Sequence, residues 1–185
     1  MSWIKEIGPD EAEGELLHQY RALEQQRGKV ANILKVHSLR PSSLQAHLAL
    51  YMDLMFASGG LSRAQRELIA VVVSRANQCN YCVAHHAEAL SRYLRDPALL
   101  EAIALGEVPA SLTPADQALA AYARKLTGAP STVSPDDIET LRRHGYADPD
   151  ILLINLIVAY FNFVNRIALG LGVSFDEAEV SGYRT

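Results

Sequence analysis

Residues 61–90 read LSRAQRELIAVVVSRANQCNYCVAHHAEAL, and this stretch decides the fold. Ser62 followed three positions later by Gln65 has the spacing of a capping box, so a helix is predicted to begin there and to run to about Ala76. The polar run that starts at Asn77 breaks or bends this helix, and a second helix follows. The stretch therefore predicts two consecutive helices joined at a pair of cysteines.

The rest of the chain has the same character, because the segments between Gly and Pro residues show helical spacing and none alternates with period two. The expected helices cover approximately residues 9–27, 41–57, 63–76, 80–94, 97–106, 114–127, 135–144 and 149 to 170 or 172, with a short apolar turn at 30–36. We predict an all-α protein of about seven to nine helices with short loops. A chain of 185 residues is expected to form a single domain, here 1–185.

The composition is that of an ordinary globular protein, with 49% hydrophobic and 21% charged residues. Disordered, fibrous and low-complexity classes are therefore excluded. With a formal net charge of −4, the chain lacks the basic surface that attracts nucleic acids and anionic lipids. No nucleic-acid partner and no membrane partner is expected.

The first residues contain no basic segment followed by an apolar one, so no secretory signal is predicted. The longest uncharged apolar stretch, residues 151–165, contains three asparagines and is shorter than the roughly 20 residues of a membrane span. We therefore expect a cytoplasmic protein. In that reducing compartment an isolated close pair of cysteines is typical of catalysis or metal binding rather than of a structural disulfide.

The two cysteines of the chain lie beside residues that can activate a thiol. Cys79 is expected at a helix N-terminus, where the free amides and the helix dipole favour a thiolate. Cys82 lies one turn further on, followed by His85 at i+3 and His86 at i+4, and an imidazole there can take the thiol proton. Glu67 on the preceding helix can fold back to orient that imidazole. The spacing thus predicts a relay of thiol, imidazole and carboxylate.

Other sites built on two cysteines fit this sequence less well. A c-type haem site needs His directly after the second cysteine, where Val83 stands. A thioredoxin fold needs strands, which the pattern lacks. Structural zinc needs four ligands, more than two cysteines and one histidine provide, whereas catalytic zinc with an open position stays an alternative.

The arrangement of Glu67, then Cys79-x-x-Cys82-x-x-x-His86, resembles the core motif of the alkylhydroperoxidase AhpD-like proteins in the carboxymuconolactone decarboxylase superfamily. The motif region covers about residues 44–95. The segments NILKVHSLRPSSLQAHLALY and AYFNFVNRIALGLGV resemble the peroxidase-related subgroup of this family. The likeness therefore extends over most of the chain.

This resemblance implies a single AhpD-like helical domain, often assembled as a homo-oligomer (trimer or hexamer), that reduces hydroperoxides. Carried over by position, Cys82 is the nucleophile that attacks the peroxide, and Cys79 is the resolving thiol. His86 shuttles the proton, and Glu67 polarises the imidazole of His86. The partners implied are a small-molecule hydroperoxide and an external dithiol or thioredoxin-like reductant, with no cofactor and no metal.

One position departs from the family pattern, because members often carry His immediately before the second cysteine and this chain has Tyr81. The change can alter thiolate activation or substrate choice. Candidate substrate-pocket residues are Tyr81, His85, Asn162 and Arg166. The last two form a polar stripe with Asn155 on a largely apolar helix, which is either an interface seam or an edge of the thiol pocket.

Three alternative functions are left open: a non-enzymatic redox sensor, a metal-binding helical module and a carboxymuconolactone decarboxylase-like enzyme. The remaining histidines have no partner motif, so surface or packing roles are expected for them. They are His18, His37, His47 and His144.

Overall fold

Helices are the only regular secondary structure in residues 2–183, the part of the chain that the computed structural model describes. The α-helices are α1 (Gly14–Arg27), α2 (Asn32–Lys35), α3 (Pro41–Phe56), α4 (Arg63–Ala76), α5 (Asn80–Ser91), α6 (Pro97–Leu105), α7 (Pro114–Gly128), α8 (Pro135–Arg143), α9 (Asp148–Gly170) and α10 (Glu177–Val180). The predicted all-α class is confirmed. Eight of these helices have seven or more residues, and two four-residue helices add to the number expected.

The helix ends follow the capping signals of the sequence. Ser62 Oγ accepts a hydrogen bond from the Gln65 amide at 3.2 Å, and Gln65 Oε1 accepts one from the Ser62 amide at 3.0 Å, which completes the predicted capping box. Gly28 ends α1 with φ 86° and Gly106 ends α6 with φ 97°. Both are left-handed conformations that glycine adopts without steric cost.

The predicted first helix is wrong at its start. Pro9–Glu11 forms one 3-10 turn, and the backbone is then extended before α1 begins at Gly14. The extended link lets Ala12 join the buried cluster that contains Leu16. Further along, α5 ends at Ser91, three residues earlier than expected, the turn at 30–36 contains the short helix α2, and α10 was not predicted.

By their contacts the described residues form two compact units, and α3 and α9 contribute residues to both. We call Leu54–Asn165 the central unit and residues 2–53 with 166–183 the terminal unit. The extent of a single domain over 1–185 stays a prediction.

In the central unit, α4 packs against α5, α6 and α7 and buries nine consecutive residues, 66–74. The charged Arg66 is buried among them, and its guanidinium donates hydrogen bonds to the carbonyls of Leu54 at 2.8 Å, Gly59 at 2.7 Å and Leu61 at 3.2 Å. These bonds satisfy the buried cation and hold the loop that leads into α4.

The core of the terminal unit is an apolar cluster formed mainly by α1 and the segments that follow it. Its buried members are Ala12, Leu16, Tyr20, Leu23, Val30, Leu34 and Leu44. The Tyr20 hydroxyl donates a hydrogen bond to the Ile7 carbonyl at 3.0 Å, which ties the first residues of the chain to α1.

By length and composition alone, α9 could cross a membrane, but half of its most apolar window is buried inside the protein. Ile154, Ile157 and Phe161 are fully buried. Burial of this kind is what the core helix of a folded domain shows.

Candidate active site

The junction between α4 and α5 positions the two cysteines. Asn77 caps α4, Gln78 takes a left-handed conformation with φ 58°, and Cys79 is the N-cap of α5. The Cys79 amide donates a hydrogen bond to the Ser74 carbonyl at 2.9 Å. The predicted break in the helix is thus a tight turn that sets the first cysteine at the N-terminus of α5.

The cysteine side chains lie close together and are shielded from solvent. The two Sγ atoms are 3.2 Å apart, and both thiols are free. Cys79 is 1% exposed and Cys82 is 2% exposed. A disulfide requires the sulfurs to approach to about 2.05 Å, so only a small local movement separates the dithiol from the oxidised pair.

The surroundings of the two thiols favour a negative charge on Cys79. The pKa of Cys79 is lowered to about 7, chiefly because its sulfur accepts the S–H of Cys82, and also because it accepts the Cys82 backbone amide and lies near the charge of His85. The pKa of Cys82 is raised, because its proton is engaged with Cys79 and because it is buried. The first proton therefore leaves the pair readily and the second with difficulty.

A buried carboxylate holds the imidazole of His86. Glu67 is fully buried, and its Oε2 accepts a hydrogen bond from His86 Nδ1 at 2.7 Å, while Arg63 Nη2 lies 2.6 Å from its Oε1. Burial alone would raise the pKa of Glu67, but the contacts with His86 and Arg63 outweigh it and hold that pKa below its ordinary value. Because an ionised carboxylate only accepts hydrogen bonds, Nδ1 carries a proton and the neutral ring keeps its lone pair on Nε2.

Two of the candidate pocket residues lie against each other. The rings of Tyr81 and His85 stack with centroids 4.2 Å apart, and His85 Nδ1 contacts the Tyr81 carbonyl at 2.8 Å. A carbonyl oxygen is an acceptor, so Nδ1 of His85 also carries a proton. Tyr81, the residue that departs from the family pattern, thus orients the imidazole of His85, whose charge lowers the pKa of Cys79.

The structure brings Cys79 together with Cys82, and Glu67 together with His86, as the spacing predicted. In the part of the chain that is described, His86 makes no hydrogen bond to either sulfur; its ring packs edge-on against Phe161, with centroids 4.6 Å apart. The role of His86 as the proton shuttle therefore stays a proposal.

Several polar residues near the thiols were missed by the sequence reasoning. Asn165 and Ser74 are both fully buried, and Asn165 Nδ2 donates a hydrogen bond to Ser74 Oγ at 3.1 Å. Asn77 connects Asn165 to the predicted pocket residue Asn162. The available signal was the presence of asparagines in an apolar helix, since a buried amide needs partners.

The other residue expected beside Asn162 belongs to a different unit. Arg166 lies in the terminal unit, so its place at the pocket stays a prediction. Asn155, from the same stripe, donates to the Tyr122 hydroxyl at 3.0 Å within the central unit. Among residues 2–183, no group of three or more His, Cys, Asp or Glu side chains is arranged to hold a metal ion.

Comparison with known proteins identifies the family. Residues 41–125 match the carboxymuconolactone decarboxylase family. The uncharacterized peroxidase-related protein with an alkylhydroperoxidase AhpD core from Ralstonia eutropha JMP134 is 30% identical; the match covers 97% of this chain and 94% of that chain, with a TM-score of 0.88. An uncharacterized peroxidase-related protein from Silicibacter sp. TM1040 is 32% identical over 92% of this chain and 89% of that one, with a TM-score of 0.84.

A more distant likeness concerns the fold alone. A cysteine-to-alanine variant of the debrominase Bmp8, in complex with 2,3,4-tribromopyrrole, is 20% identical over 97% of this chain and 96% of that chain, with a TM-score of 0.80. No curated protein matches the sequence. The chain belongs to the AhpD-like proteins of the carboxymuconolactone decarboxylase family, as its motif predicted.

Proposed function

We propose that the protein is a thiol-dependent peroxidase that reduces hydroperoxides by cycling Cys79 and Cys82 between dithiol and disulfide. The observation that carries this proposal is the pair of free, buried sulfurs 3.2 Å apart at the start of α5. Membership of a family whose relatives are peroxidase-related supports the same class of reaction.

The reaction begins with the Cys82 thiolate attacking one oxygen of the hydroperoxide. A sulfur–oxygen bond forms, the oxygen–oxygen bond breaks, and the departing alkoxide takes a proton to leave as an alcohol. The Cys79 thiolate then attacks the sulfenic acid of Cys82, so the disulfide forms and hydroxide leaves as water. An external dithiol reduces the disulfide by thiol exchange and completes the cycle.

His86 and Glu67 manage the protons of these steps. The Nε2 lone pair of His86 accepts the thiol proton and later delivers it to the leaving oxygen, while the ionised Glu67 stabilises the imidazolium that forms in between. Burial of both thiols strengthens this electrostatic effect because water does not screen it. The proposal includes a cytoplasmic location and a homo-oligomeric state, trimer or hexamer, as the family resemblance implies.

The decisive experiment measures the consumption of tert-butyl hydroperoxide in the presence of excess dithiothreitol. It compares the wild-type protein with Cys82→Ser, Cys79→Ser and a control variant, His144→Gln, which changes an exposed residue at the end of α8. We expect repeated turnover in the wild type and the control, none above background in Cys82→Ser, and slower turnover in Cys79→Ser, where only external dithiothreitol resolves the sulfenic acid. Cys79→Ser treated with peroxide should accumulate a sulfenic acid on Cys82 that dimedone traps.

Two results would contradict the proposal. Undiminished turnover in Cys82→Ser would remove the cysteine pair from the chemistry. A wild-type protein that oxidises once and then stops, despite excess dithiothreitol, would indicate a redox switch rather than an enzyme.

A further inference from the structure

We propose that Asn77 is a positioning residue that holds the turn carrying Cys79, so that its sulfur stays beside the sulfur of Cys82 and the disulfide closes readily. The inference rests on the proposed function only in taking this cysteine pair as the reacting group. It assigns a role to a half-buried side chain that lies outside the family motif.

The backbone of the turn, residues 77–79, is tied to the end of α4. All three amides of the turn donate hydrogen bonds to carbonyls of residues 73–75, over 2.9–3.0 Å. Cys79 is the N-cap of α5, whereas Cys82 lies inside that helix. The distance between the two sulfurs therefore depends on how firmly the turn is held.

The side chain of Asn77 joins this turn to a third helix, α9. Its Nδ2 donates to Asn165 Oδ1 at 2.9 Å and to Asn162 Oδ1 at 3.0 Å. Both acceptors are themselves held, because Asn165 Nδ2 donates to Ser74 Oγ at 3.1 Å and Asn162 Nδ2 donates to Thr127 Oγ1 at 3.2 Å. The place of the turn is thus set by the packing of α4, α7 and α9 in the central unit.

This anchor removes in advance the freedom that a disulfide would otherwise have to remove. The two Sγ atoms lie 3.2 Å apart in the dithiol, and closing the bond brings them to about 2.05 Å. Groups that are already held near each other react with a high effective concentration, because little conformational entropy is left to lose. Without the two bonds of Asn77, the turn would sample more arrangements as the dithiol than as the disulfide. Asn77 therefore favours the disulfide.

The test measures the equilibrium between dithiol and disulfide in mixtures of reduced and oxidised glutathione, with no hydroperoxide present. A protein thiolate attacks glutathione disulfide and releases one glutathione thiolate, and the second protein thiol then displaces the other glutathione. The protein loses two electrons and two protons, and one glutathione disulfide becomes two thiols. Iodoacetamide labels the remaining protein thiols, and mass spectrometry gives the oxidised fraction.

We expect the equilibrium constant for disulfide formation in Asn77→Ala to be about tenfold below that of the wild type, the scale set by losing one or two neutral hydrogen bonds. The matched control is Asn80→Ala, the same substitution at an exposed position directly after Cys79, and it should keep the wild-type constant.

A double-variant cycle separates positioning from a general loss of stability. Asn162→Ala removes one of the two acceptors and should lower the constant by a smaller factor. If Asn77 acts through this bond, the double variant should fall no lower than Asn77→Ala alone, whereas independent effects would add.

Circular dichroism checks that each variant folds. If Asn77→Ala does not fold, Asn77→Asp replaces it, since that side chain has the same size and its carboxylate has no donor. A constant for the Asn77 variant that equals or exceeds the wild-type value, or losses that add in the double variant, would overturn the inference. Because no hydroperoxide is used, these outcomes are distinct from a failure of the wild-type protein to turn over hydroperoxide.

Discussion

Glu67 is a carboxylate with no solvent exposure, and its contacts with the Arg63 guanidinium and the His86 imidazole keep it ionised. Burying an unpaired carboxylate costs several kcal/mol, so such a group is retained only where partners compensate. Here Arg63 precedes it by one helical turn, and His86 reaches it from α5. A charged residue of a helix beside Arg63 and Arg66 is usually solvated, whereas the motif spacing favoured a role for Glu67, and its complete burial excludes the solvated interpretation.

Replacing Glu67 by Gln should lower peroxide turnover by about 100-fold, since the imidazolium of His86 loses its counter-charge. The pKa of Glu67 is held below its ordinary value, so the carboxylate stabilises the fold above about pH 4.5 and this contribution is lost as the pH falls through the lower folded value. Steady-state kinetics and urea unfolding at several pH values measure both effects.

The control for this substitution is Glu88→Gln, at an exposed position of α5. It should leave turnover and the acid dependence of stability unchanged. Wild-type turnover in Glu67→Gln would show that the carboxylate has no part in moving the proton.

The junction of α4 and α5 matters most among the elements, because one unusual backbone conformation places Cys79 at the helix N-terminus. Gln78 has φ 58°, a region that costs a residue with a Cβ roughly 1–2 kcal/mol. The polar run after α4 predicted a break, but not a left-handed residue, since Gln carries no preference for that region. The strain is retained because the turn lets α5 fold back along α4 and bring His86 to Glu67.

We expect Gln78→Val to lower the free energy of unfolding by at least about 1 kcal/mol more than Gln45→Val, a change of the same kind at an exposed position of helix α3. Gln78→Gly should be neutral within about 1 kcal/mol, because relief of the left-handed strain offsets the greater freedom of the unfolded chain. Urea unfolding measures all three variants. Equal losses for the two valine variants would show that the turn is not strained.

On the scale of the whole molecule, the buried His47 and the half-buried His37 beside it make stability depend on pH. His47 is 6% exposed, and its Nδ1 lies 3.1 Å from His37 Nε2 in the terminal unit. Burial, with a smaller contribution from the charge of His37, lowers the pKa of His47 to about 4, and burial lowers that of His37 as well. Both were expected to have surface or packing roles, and the structure places His47 in the interior.

Between pH 6.5 and about 4, the unfolded chain therefore binds a proton at His47 that the folded protein does not. As the pH falls through this window, His47 should lower the free energy of unfolding by on the order of 3 kcal/mol. Urea unfolding above pH 6.5 and near pH 4 should show a smaller loss for His47→Gln than for the wild type. His18→Gln, at an exposed position, should retain the full loss, and an acid dependence unaffected by His47→Gln would refute the assignment.

Local signals were enough to predict much of this protein. Ser62, Gly28 and Gly106 mark helix ends because capping depends on the few residues beside each end. The closeness of Cys79 and Cys82 was equally predictable, since residues three apart lie on the same side of a helix. The contact of Glu67 with His86 followed from the expectation that the first of the two helices folds back on the second. The extended link before α1 was not, because burial of Ala12 in the core overrides the local preference for helix.

The sequence alone thus determined the all-helical class and the closeness of the two cysteines, which follow from short-range spacing, and its motif resembled the family to which the chain belongs. Tertiary structure decided which thiol carries the charge, because pKa values depend on burial and on neighbours that the chain order does not reveal. It also decided that Asn165 reaches Ser74, 91 positions earlier in the chain. A hydrogen bond over that separation exists only once the helices have packed, since no local preference of either residue predicts it.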